Sequence, residues 1–310
     1  MEGLFILLLA LLIDLLFGEP PRITHPVVWM GKVISFCKRF TPVQGDHSQV
    51  IYGSAMVLLT IFIFTSPVYF LLSYARQVSP LAYILIGALL LKPSFSFREL
   101  RQTALEIKLL LTKGNIEEAR ARMPALVSRE TQTMGGTEVV SATVESVAEN
   151  TCDSVVAPLF YFLLFGVPGA VVYRVVNTWD AMIGYHGKYE YSGKFAAKLD
   201  DVLNFIPARI TGLLLVISAY LCRKDGKNAW RVMLRDHGNT ESPNAGWPMS
   251  AVAGALRTQL QKAGCYSLGN KNNPLSPELI ASGIKLAQMA TLLCVLFYLI
   301  GGVTHFVFIT

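Results

Sequence analysis

The chain has 310 residues, of which 53% are hydrophobic and only 15% are charged, and its mean hydropathy is +0.46. Because soluble domains average roughly 25% charged residues, this composition excludes an ordinary soluble protein and indicates an integral membrane protein. The net charge of +6 is spread over the chain, which gives nucleic-acid binding little support, and the five scattered cysteines indicate neither a disulfide framework nor a zinc site.

Several apolar segments could lie in a membrane, where a full span needs roughly 20 residues. They are Leu4–Phe17, Ser54–Leu72, Leu81–Leu91, Val155–Val176, Phe205–Leu221 and Leu286–Ile309. The first contains Asp14 and lacks a basic leader and a small-residue cleavage site, so we expect a retained helix rather than a removed signal peptide. The pattern predicts an all-α, polytopic membrane protein, with residues 1–310 as one membrane-embedded domain.

Three polar stretches between these segments hold most of the basic residues. Gly18–Gly53, Lys92–Ser154 and Arg223–Lys285 carry four, eight and nine Lys or Arg residues. Basic loops favour the cytoplasmic side of a membrane. We therefore expect a multi-pass protein of the cell membrane whose active site faces the cytoplasm. Residues 92–154 would form a cytoplasmic helical segment and residues 223–285 a cytoplasmic loop region.

Pro158, Gly166, Pro168 and Gly169 interrupt the apolar segment Val155–Val176. Broken backbone at membrane depth is tolerated where protein buries it, so we predict a re-entrant hairpin that turns at Gly166–Gly169. The segment 205–221 must then also be buried without crossing, because otherwise the basic stretch 223–285 would lie outside. This arrangement returns residues 177–204 to the cytoplasmic side.

The polar stretch 92–154 has apolar residues at helical spacing, with a break at Gly114-Asn115. Gly135-Gly136 opens a further helix with one apolar stripe, formed by Val140, Val144 and Val147. Its other face carries four carboxylates within a sector of roughly 100°, namely Glu138, Glu145, Glu149 and Asp153. This face is either a solvated acidic surface or, because Asp153 precedes an apolar segment, a site for Mg²⁺ or a cationic substrate.

A second polar cluster follows the broken segment. Asn177 and Asp180 are one helical turn apart, as are Asp200 and Asn204, and Asp201 lies beside them. Cations suited to phosphate groups are close in sequence, namely Arg174, Lys198 and Arg209. These residues either form a metal and phosphate site or pair with one another to hold helices together.

The segment Ser242–Pro248 contains two prolines and a glycine, so it cannot be a helix interior. It predicts either a rigid loop whose Asn244 and Trp247 contact a ligand or a plain structural turn. We interpret His25 as a structural histidine at the membrane interface and Cys152 as an inert thiol, because no histidine is adjacent to that cysteine.

No GxxxxGK[ST] loop or HExxH motif occurs, and no GxGxxG follows a strand pattern. A nucleotide would therefore be held without a standard fingerprint. The residues alone indicate a membrane-embedded, metal-using enzyme that acts on phosphorylated or charged substrates.

Six sequence motifs occur in the same order as in a known protein family, and together they indicate a resemblance to it. They are Asp14–Arg22 with His25-Pro26, Ser128–Thr131, Glu145–Asp153 followed by Val156–Tyr161, Asn177–Tyr185, Leu199–Arg209 and Ser242–Pro248. In these motifs the chain resembles the adenosylcobinamide-phosphate synthase family (CbiB/CobD) of cobalamin biosynthesis, nearly end to end. It departs from the family pattern at Glu19 and Glu130, where aspartate is usual, and at Ser154, where glycine is common. Cys152 stands where serine is often found, which further weakens a catalytic thiol.

The resemblance implies an ATP-dependent amide ligase. It would join a propionate carboxylate of adenosylcobyric acid to (R)-1-amino-2-propanol or its O-phosphate, giving adenosylcobinamide or its phosphate. ATP and Mg²⁺ are the implied co-substrate and metal, and an adenosylated corrinoid is the substrate. Membrane lipid and other cobalamin-assembly enzymes are the implied partners.

We expect these polar residues to have different roles in that reaction. Metal binding is assigned to Glu149, Asp153 and Asp180. Base catalysis or binding of a second metal is assigned to Asp200 or Asp201, and Glu145 is a further catalytic candidate. Phosphate binding is assigned to Lys198, Arg209 and Arg174, and substrate orientation to Asn150, Asn177, Asn204, Asn244 and Trp247.

Two other classes of membrane protein remain alternatives. A Mg²⁺-dependent membrane prenyltransferase also places Asp-rich helices over a metal, but it expects an Asn-Asp-x-x-Asp spacing that Asn177–Asp180 lacks. A transporter with broken helices would need two matching halves, and the sequence contains no evident internal repeat.

Overall fold

The computed structural model describes residues 2–42, 45–184 and 189–309, with side chains described as far as residue 301. Tyr185, which ends one of the family motifs, and Lys188 lie outside the described residues. The α-helices are α1 Glu2–Phe17, α2 Pro26–Arg39, α3 Asp46–Val78, α4 Pro80–Leu91, α5 Phe97–Thr112, α6 Ile116–Arg122, α7 Gly136–Thr151, α8 Ala157–Ile183, α9 Glu190–Leu221, α10 Gly226–Asp236, α11 Gly246–Leu256 and α12 Pro277–Ile309. Strands β1 (Gln259–Lys262) and β2 (Tyr266–Gly269) form an antiparallel hairpin with Leu260 opposite Leu268.

The predicted fold class is confirmed. Within the described chain, five helical stretches are long and apolar enough to cross a membrane: Asp46–Val78, Pro80–Thr112, Gly136–Ile183, Glu190–Leu221 and Pro277–Gly301. They contain four of the six apolar segments found in the sequence in full and the first sixteen residues of a fifth, 286–309, which lies within α12. The sixth, Leu4–Phe17, lies in the 16-residue helix α1. The chain is therefore an all-α, polytopic membrane protein with one small β-hairpin.

The chain divides into two compact units. The first comprises Met1–Ser96, Ala157–Leu203 and Leu299–Thr310, and the second comprises Phe97–Val156 and Asn204–Tyr298. Of the two stretches expected to be cytoplasmic, residues 97–154 of the first and all of 223–285 belong to the second unit. The stretch 223–285 is largely regular structure, because it contains α10, α11 and the β-hairpin.

Helix α8 reverses direction at Gly166. The backbone there has φ 66° and ψ −161°, outside the helical region. The rings of Tyr161 and Tyr173 stack with centroids 5.5 Å apart, whereas twelve residues of a straight helix would separate them by roughly 18 Å. A Cβ on Gly169 would lie 2.6 Å from the carbonyl oxygen of Tyr161. The predicted turn at Gly166–Gly169 is confirmed as a hairpin, and its re-entrant placement in a membrane stays a prediction.

A buried ion-pair network ties together the helices at the start of the first unit. The Nζ of Lys92 lies 3.0 Å from Asp14 Oδ1 and 2.7 Å from Glu19 Oε1, and both Lys92 and Asp14 are 3% exposed. His25 caps α2, because its Nδ1 accepts the backbone N–H of Val27, and its Nε2 is 2.9 Å from Glu19 Oε2. Burial raises the pKa of Glu19, but hydrogen bonds from His25 and Lys92 outweigh it and bring the pKa to about 2.

Helix α7 lies at the centre of the second unit, where it packs against α5, α11 and β1. The expected break at Gly114-Asn115 and the helix start at Gly136 are both confirmed. The expected apolar stripe of Val140, Val144 and Val147 is buried. The alternative of a solvated acidic face is wrong for the middle of the helix, because every residue from Val139 to Ala148 is buried. Elements packed on several sides of α7 leave it no continuous solvated face.

Candidate functional site

A polar cleft opens in the second unit beside α7. Its volume is about 220 Å³. Charged and hydroxyl-bearing side chains line it together with apolar ones, and the polar set is Ser128, Arg129, Glu145, Ser146, Glu149, Thr240, Glu241, Ser242, Lys262 and Tyr266. The cleft brings the predicted residues Glu145 and Glu149 together with Arg129, Lys262 and Tyr266, to which sequence reasoning gave no role.

Glu145 is the centre of a hydrogen-bond network in this cleft. Its side chain is buried, and Ser141 Oγ donates to its Oε1 over 2.6 Å. Its Oε2 accepts from Arg129 Nη2 at 3.1 Å and from the Tyr266 hydroxyl at 2.8 Å. Because three donors fix the direction of this carboxylate, the geometry of Glu145 suits orientation of Arg129 and Tyr266.

Tyr266 faces two carboxylates. Burial raises the pKa of its hydroxyl, and the negative charges of Glu145 and Glu149 raise it further. Tyr266 is therefore a protonated hydrogen-bond donor at neutral pH. It comes from β2, about 120 residues after α7 in sequence, which is why α7 alone gave no sign of it. The motif Ser128–Thr131 contains Arg129 and could have indicated that this arginine is functional, although the sequence analysis assigned it no role.

The chain widens into one π-helical turn, Cys152–Val156, directly after α7. Because this turn contains more residues than an α-helical one, Asp153 departs from the face extrapolated at 100° per residue. Asp153 is half-buried, as is Glu149. The Cys152 thiol is buried and lies 3.8 Å from Asn204 Oδ1, a packed setting that fits an inert thiol.

The Asn150 side chain forms its hydrogen bonds with residues one helical turn before and after it. Its Nδ2 donates to the carbonyl and the hydroxyl of Ser146, both at 3.0 Å, and its Oδ1 accepts from Ser154 Oγ at 3.2 Å. This local pairing orients the Asn150 side chain, and the hydroxyl of Ser146 in turn donates to the carbonyl of Leu126.

Arg209 lies between aromatic rings in the second unit. Its Cζ is 3.5 Å from the ring centroid of Phe205 and 4.8 Å from that of Trp247, and its Nη1 donates to Asn244 Oδ1 at 3.3 Å. The segment Ser242–Ala245 is a turn, as predicted, but Gly246 to Pro248 already form the first turn of α11. Proline is tolerated there because first-turn amides lack helical partners. The Trp247 indole N–H is buried and has no acceptor among the described residues.

The second predicted cluster forms within the first unit. Arg174 Nη1 donates to Asn177 Oδ1 at 3.3 Å, and Asn177 Nδ2 lies 3.4 Å from Asp200 Oδ1, which links α8 to α9. The carboxylates of Asp180 and Asp201 are close enough to repel each other. Lys198 is exposed.

Gly184 makes room for one of these carboxylates. A Cβ at that position would collide with the side chain of Asp180. The same region is close-packed, because a Cβ on Gly193 would meet the carbonyl of Ile183 and one on Gly53 the carbonyl of Ser192. Three backbones therefore approach one another in the region that contains the Asp180 side chain.

Among the described residues, no group of three or more His, Cys, Asp or Glu side chains could hold a metal ion. Mg²⁺ is usually bound through one or two carboxylates together with substrate phosphates, so the pair Asp180 and Asp201 fits such an ion. The predicted metal set of Glu149, Asp153 and Asp180 stays a prediction.

The chain matches the family described as CobD/Cbib protein over residues 7–292. It is 50% identical over 306 residues to cobalamin biosynthesis protein CobD of Dehalococcoides mccartyi, covering 99% of both chains. It is 42% identical to a probable cobalamin biosynthesis protein CobD of Methanothermobacter thermautotrophicus, covering 94% of this chain and 96% of the relative. No solved structure matches it. The chain therefore belongs to the CobD/CbiB family of cobalamin biosynthesis.

Proposed function

We propose that this protein is an ATP-dependent amide ligase that joins a propionate carboxylate of adenosylcobyric acid to (R)-1-amino-2-propanol or its O-phosphate. Membership of the CobD/CbiB family supports the place in cobalamin biosynthesis. The observation that carries the proposal is the polar cleft, which is lined by the cations Arg129 and Lys262 and by the carboxylates Glu145 and Glu149.

Amide formation from a carboxylate needs both cations and a base. A carboxylate is a poor electrophile, so it first takes a phosphoryl group from ATP, which releases ADP. The amine then attacks the activated carbonyl and phosphate leaves. Cations stabilise the negative charge on the transferring phosphoryl group, and a carboxylate accepts the proton that the ammonium must lose before it attacks.

The contacts of each residue suggest which of these tasks it performs. Arg129 and Lys262 bind anionic groups in the cleft, and Tyr266 donates a hydrogen bond there. Glu145 orients Arg129 and Tyr266. Asp200 or Asp201 is the base or a further metal ligand.

Substrate contacts and phosphate contacts are proposed for the remaining polar residues. Trp247 has a buried indole N–H that would meet a substrate oxygen. Orientation of substrate by amides is assigned to Asn150, Asn177, Asn204 and Asn244, and phosphate contact to Arg174, Lys198 and Arg209.

Mg²⁺ would be held by carboxylates from the predicted set together with substrate phosphates. Asp180 and Asp201 are neighbouring carboxylates whose mutual repulsion a cation would reduce, and Glu149 and Asp153 are the other candidates. The ion would supply charge neutralisation at the phosphates. The protein residues supply its position and the nearby cations.

The test is turnover by purified, reconstituted protein given ATP, Mg²⁺, adenosylcobyric acid and either amine. We expect ADP and phosphate release that depends on both the corrinoid and the amine, with the amide product detected by mass spectrometry. Asp153→Asn and Glu149→Gln should abolish turnover while the protein remains folded and membrane-inserted, and Cys152→Ser should keep most of the activity. Release of ADP without corrinoid, or normal turnover by both carboxylate variants, would contradict the proposal.

A further inference from the structure

Helix α10 presents an unusual exposed face. Its buried residues alternate regularly with exposed ones, so Ala229, Val232 and Met233 pack into the second unit's core. The exposed side, here called the α10 outer face, consists of Lys227, Trp230, Arg231, Leu234 and Arg235. This face contains basic and large apolar side chains and lacks an acidic one.

The apolar members of the α10 outer face are well exposed. Trp230 is 44% exposed and Leu234 is 47% exposed. They lie one helical turn apart, with Lys227, Arg231 and Arg235 beside them along the same face. A groove lined by these five residues follows the face. A tryptophan and a leucine framed by cations are typical of a helix that lies in a membrane interface, with its apolar side chains at headgroup level.

The position of α10 in the chain supports the same conclusion. The apolar helix α9 ends at Leu221 and α10 begins at Gly226, so at most four residues join a candidate membrane span to this helix. The join is tight. Arg223 has φ 55°, and a Cβ on Gly226 would clash with the ring of Tyr220 in the last turn of α9. The start of α10 is therefore held against the end of an apolar helix that is long enough to enter a membrane.

The charge of this segment is complementary to an anionic surface. Residues 223–235 contain five Lys or Arg residues and one acid, Asp225. That acid is paired with Arg257 at 2.8 Å, outside the segment. Arg235 is paired with Asp236, so Lys227 and Arg231 are the principal cations of the face. Juxtamembrane basic clusters are attracted to anionic headgroups.

We propose that the α10 outer face binds the headgroups of anionic phospholipids, with Trp230 and Leu234 inserted at the level of the glycerol backbone. Lys227 and Arg231 contact the phosphates. This binding is independent of the amide-forming activity. It would hold the second unit's α10 at the surface of the membrane that α9 enters.

The experiment uses full-length protein in nanodiscs whose lipids are brominated in the acyl chain near the headgroup. Trp29 is also exposed, so all measurements use a protein that carries Trp29→Phe. The fluorescence of Trp230 is the difference between this variant and the double variant Trp29→Phe/Trp230→Phe. Brominated phosphatidylglycerol should quench Trp230 more strongly than brominated phosphatidylcholine. The double variant Lys227→Gln/Arg231→Gln should lower the preference for the anionic lipid roughly thirtyfold.

The matched control is Lys113→Gln/Lys271→Gln, which removes two exposed cations of the same unit outside α10 and should leave the preference unchanged. Equal quenching by the two lipids, or no effect of Lys227→Gln/Arg231→Gln, would overturn the proposal. Loss of the preference on adding millimolar inorganic phosphate or nucleotide at constant ionic strength would also overturn it, because the face would then be a site for free phosphate groups. No quenching by either lipid would mean that another partner, such as an acidic protein, covers the face.

Discussion

At the residue scale, Glu145 shows how surroundings determine a carboxylate's role. The sequence placed it among the catalytic candidates, and the structure surrounds it with Ser141, Arg129 and Tyr266 as donors. A general base must have a lone pair free for the incoming proton. A carboxylate with three donors is better suited to fixing the direction of a guanidinium, which is the basis of the first prediction.

Arg129→Gln should raise KM for an anionic substrate and lower kcat/KM by about ten- to hundredfold, because it removes a charge-assisted contact. Glu145→Gln should have a smaller effect and leave the pH profile of kcat unchanged, since glutamine still accepts from Arg129. Steady-state kinetics across pH 5–9 would measure both. Glu138→Gln, at an exposed position of α7, is the matched control. A loss of kcat of a hundredfold or more in Glu145→Gln with an altered pH profile would show instead that Glu145 is the base.

The ion-pair network of Glu19 predicts an acid-labile contribution to stability. Its pKa of about 2 in the folded protein lies below the ordinary value of 4.5, so the folded state binds fewer protons than the unfolded state in this range. The stabilisation is complete above about pH 4.5 and is lost as the pH falls towards 2. Thermal unfolding of wild type and Glu19→Gln in detergent should differ most above pH 4.5 and converge below it. Glu130→Gln, at an exposed glutamate, should keep the wild-type pH dependence.

At the element scale, α8 and α7 depart from simple helices in different ways. Gly166 has a positive φ that L-residues rarely adopt, and Gly169 accommodates the returning chain. The π-helical turn at 152–156 adds a residue and changes the direction of Asp153. The π-helical turn contains Asp153 and begins three residues after Glu149, and the hairpin precedes Arg174 and Asn177 in the second arm of α8.

Gly169→Ala should destabilise the hairpin by about 1–3 kcal/mol, because the added Cβ overlaps the backbone oxygen of Tyr161 and the Cβ of Phe165. The measurement is the apparent Tm of the purified protein in detergent. Gly238→Ala is the control, since a Cβ there meets nothing within 4 Å, and its Tm should be close to that of wild type. A Tm of Gly169→Ala equal to wild type would indicate that the arms of α8 are not packed as described.

At the scale of the whole molecule, the proposed function determines on which side of the membrane the polar clusters must lie. ATP is cytosolic, so the proposed function requires both the 177–204 cluster and the second unit's cleft to open to the cytoplasm. The hairpin at Gly166 provides a chain reversal that makes this possible for the first cluster.

Single cysteines at Lys194 and Lys227, in a background without Cys37, Cys152, Cys222, Cys265 and Cys294, should both resist an impermeant thiol reagent in intact cells. Both should react once the membrane is opened. Lys194 is used because Lys188 lies outside the described residues, and Lys194 is exposed. A cysteine at an exposed extracellular site of a second membrane protein in the same cells is the labelling control. Labelling at position 194 from outside would mean that the proposed topology is wrong.

Local sequence pattern was sufficient to predict that this is a membrane protein and to place most of its apolar helices. It also predicted the break at Gly114-Asn115 and the turn at Gly166–Gly169. These features depend on residues close together in the chain, since a run of apolar side chains or a glycine and proline pair constrains its own backbone. The motif order was likewise sufficient for the family, which the comparisons confirmed.

Only the tertiary structure decided what each polar residue contacts. Tyr266 reaches Glu145 from a strand 121 positions away, and α7 is buried on faces that its own periodicity marked as polar. The α10 outer face is also a tertiary result, because it depends on which side of an amphipathic helix the core covers. Burial and partners come from elements distant in sequence, and they determine whether a carboxylate is a ligand, a base or the support of a neighbouring cation.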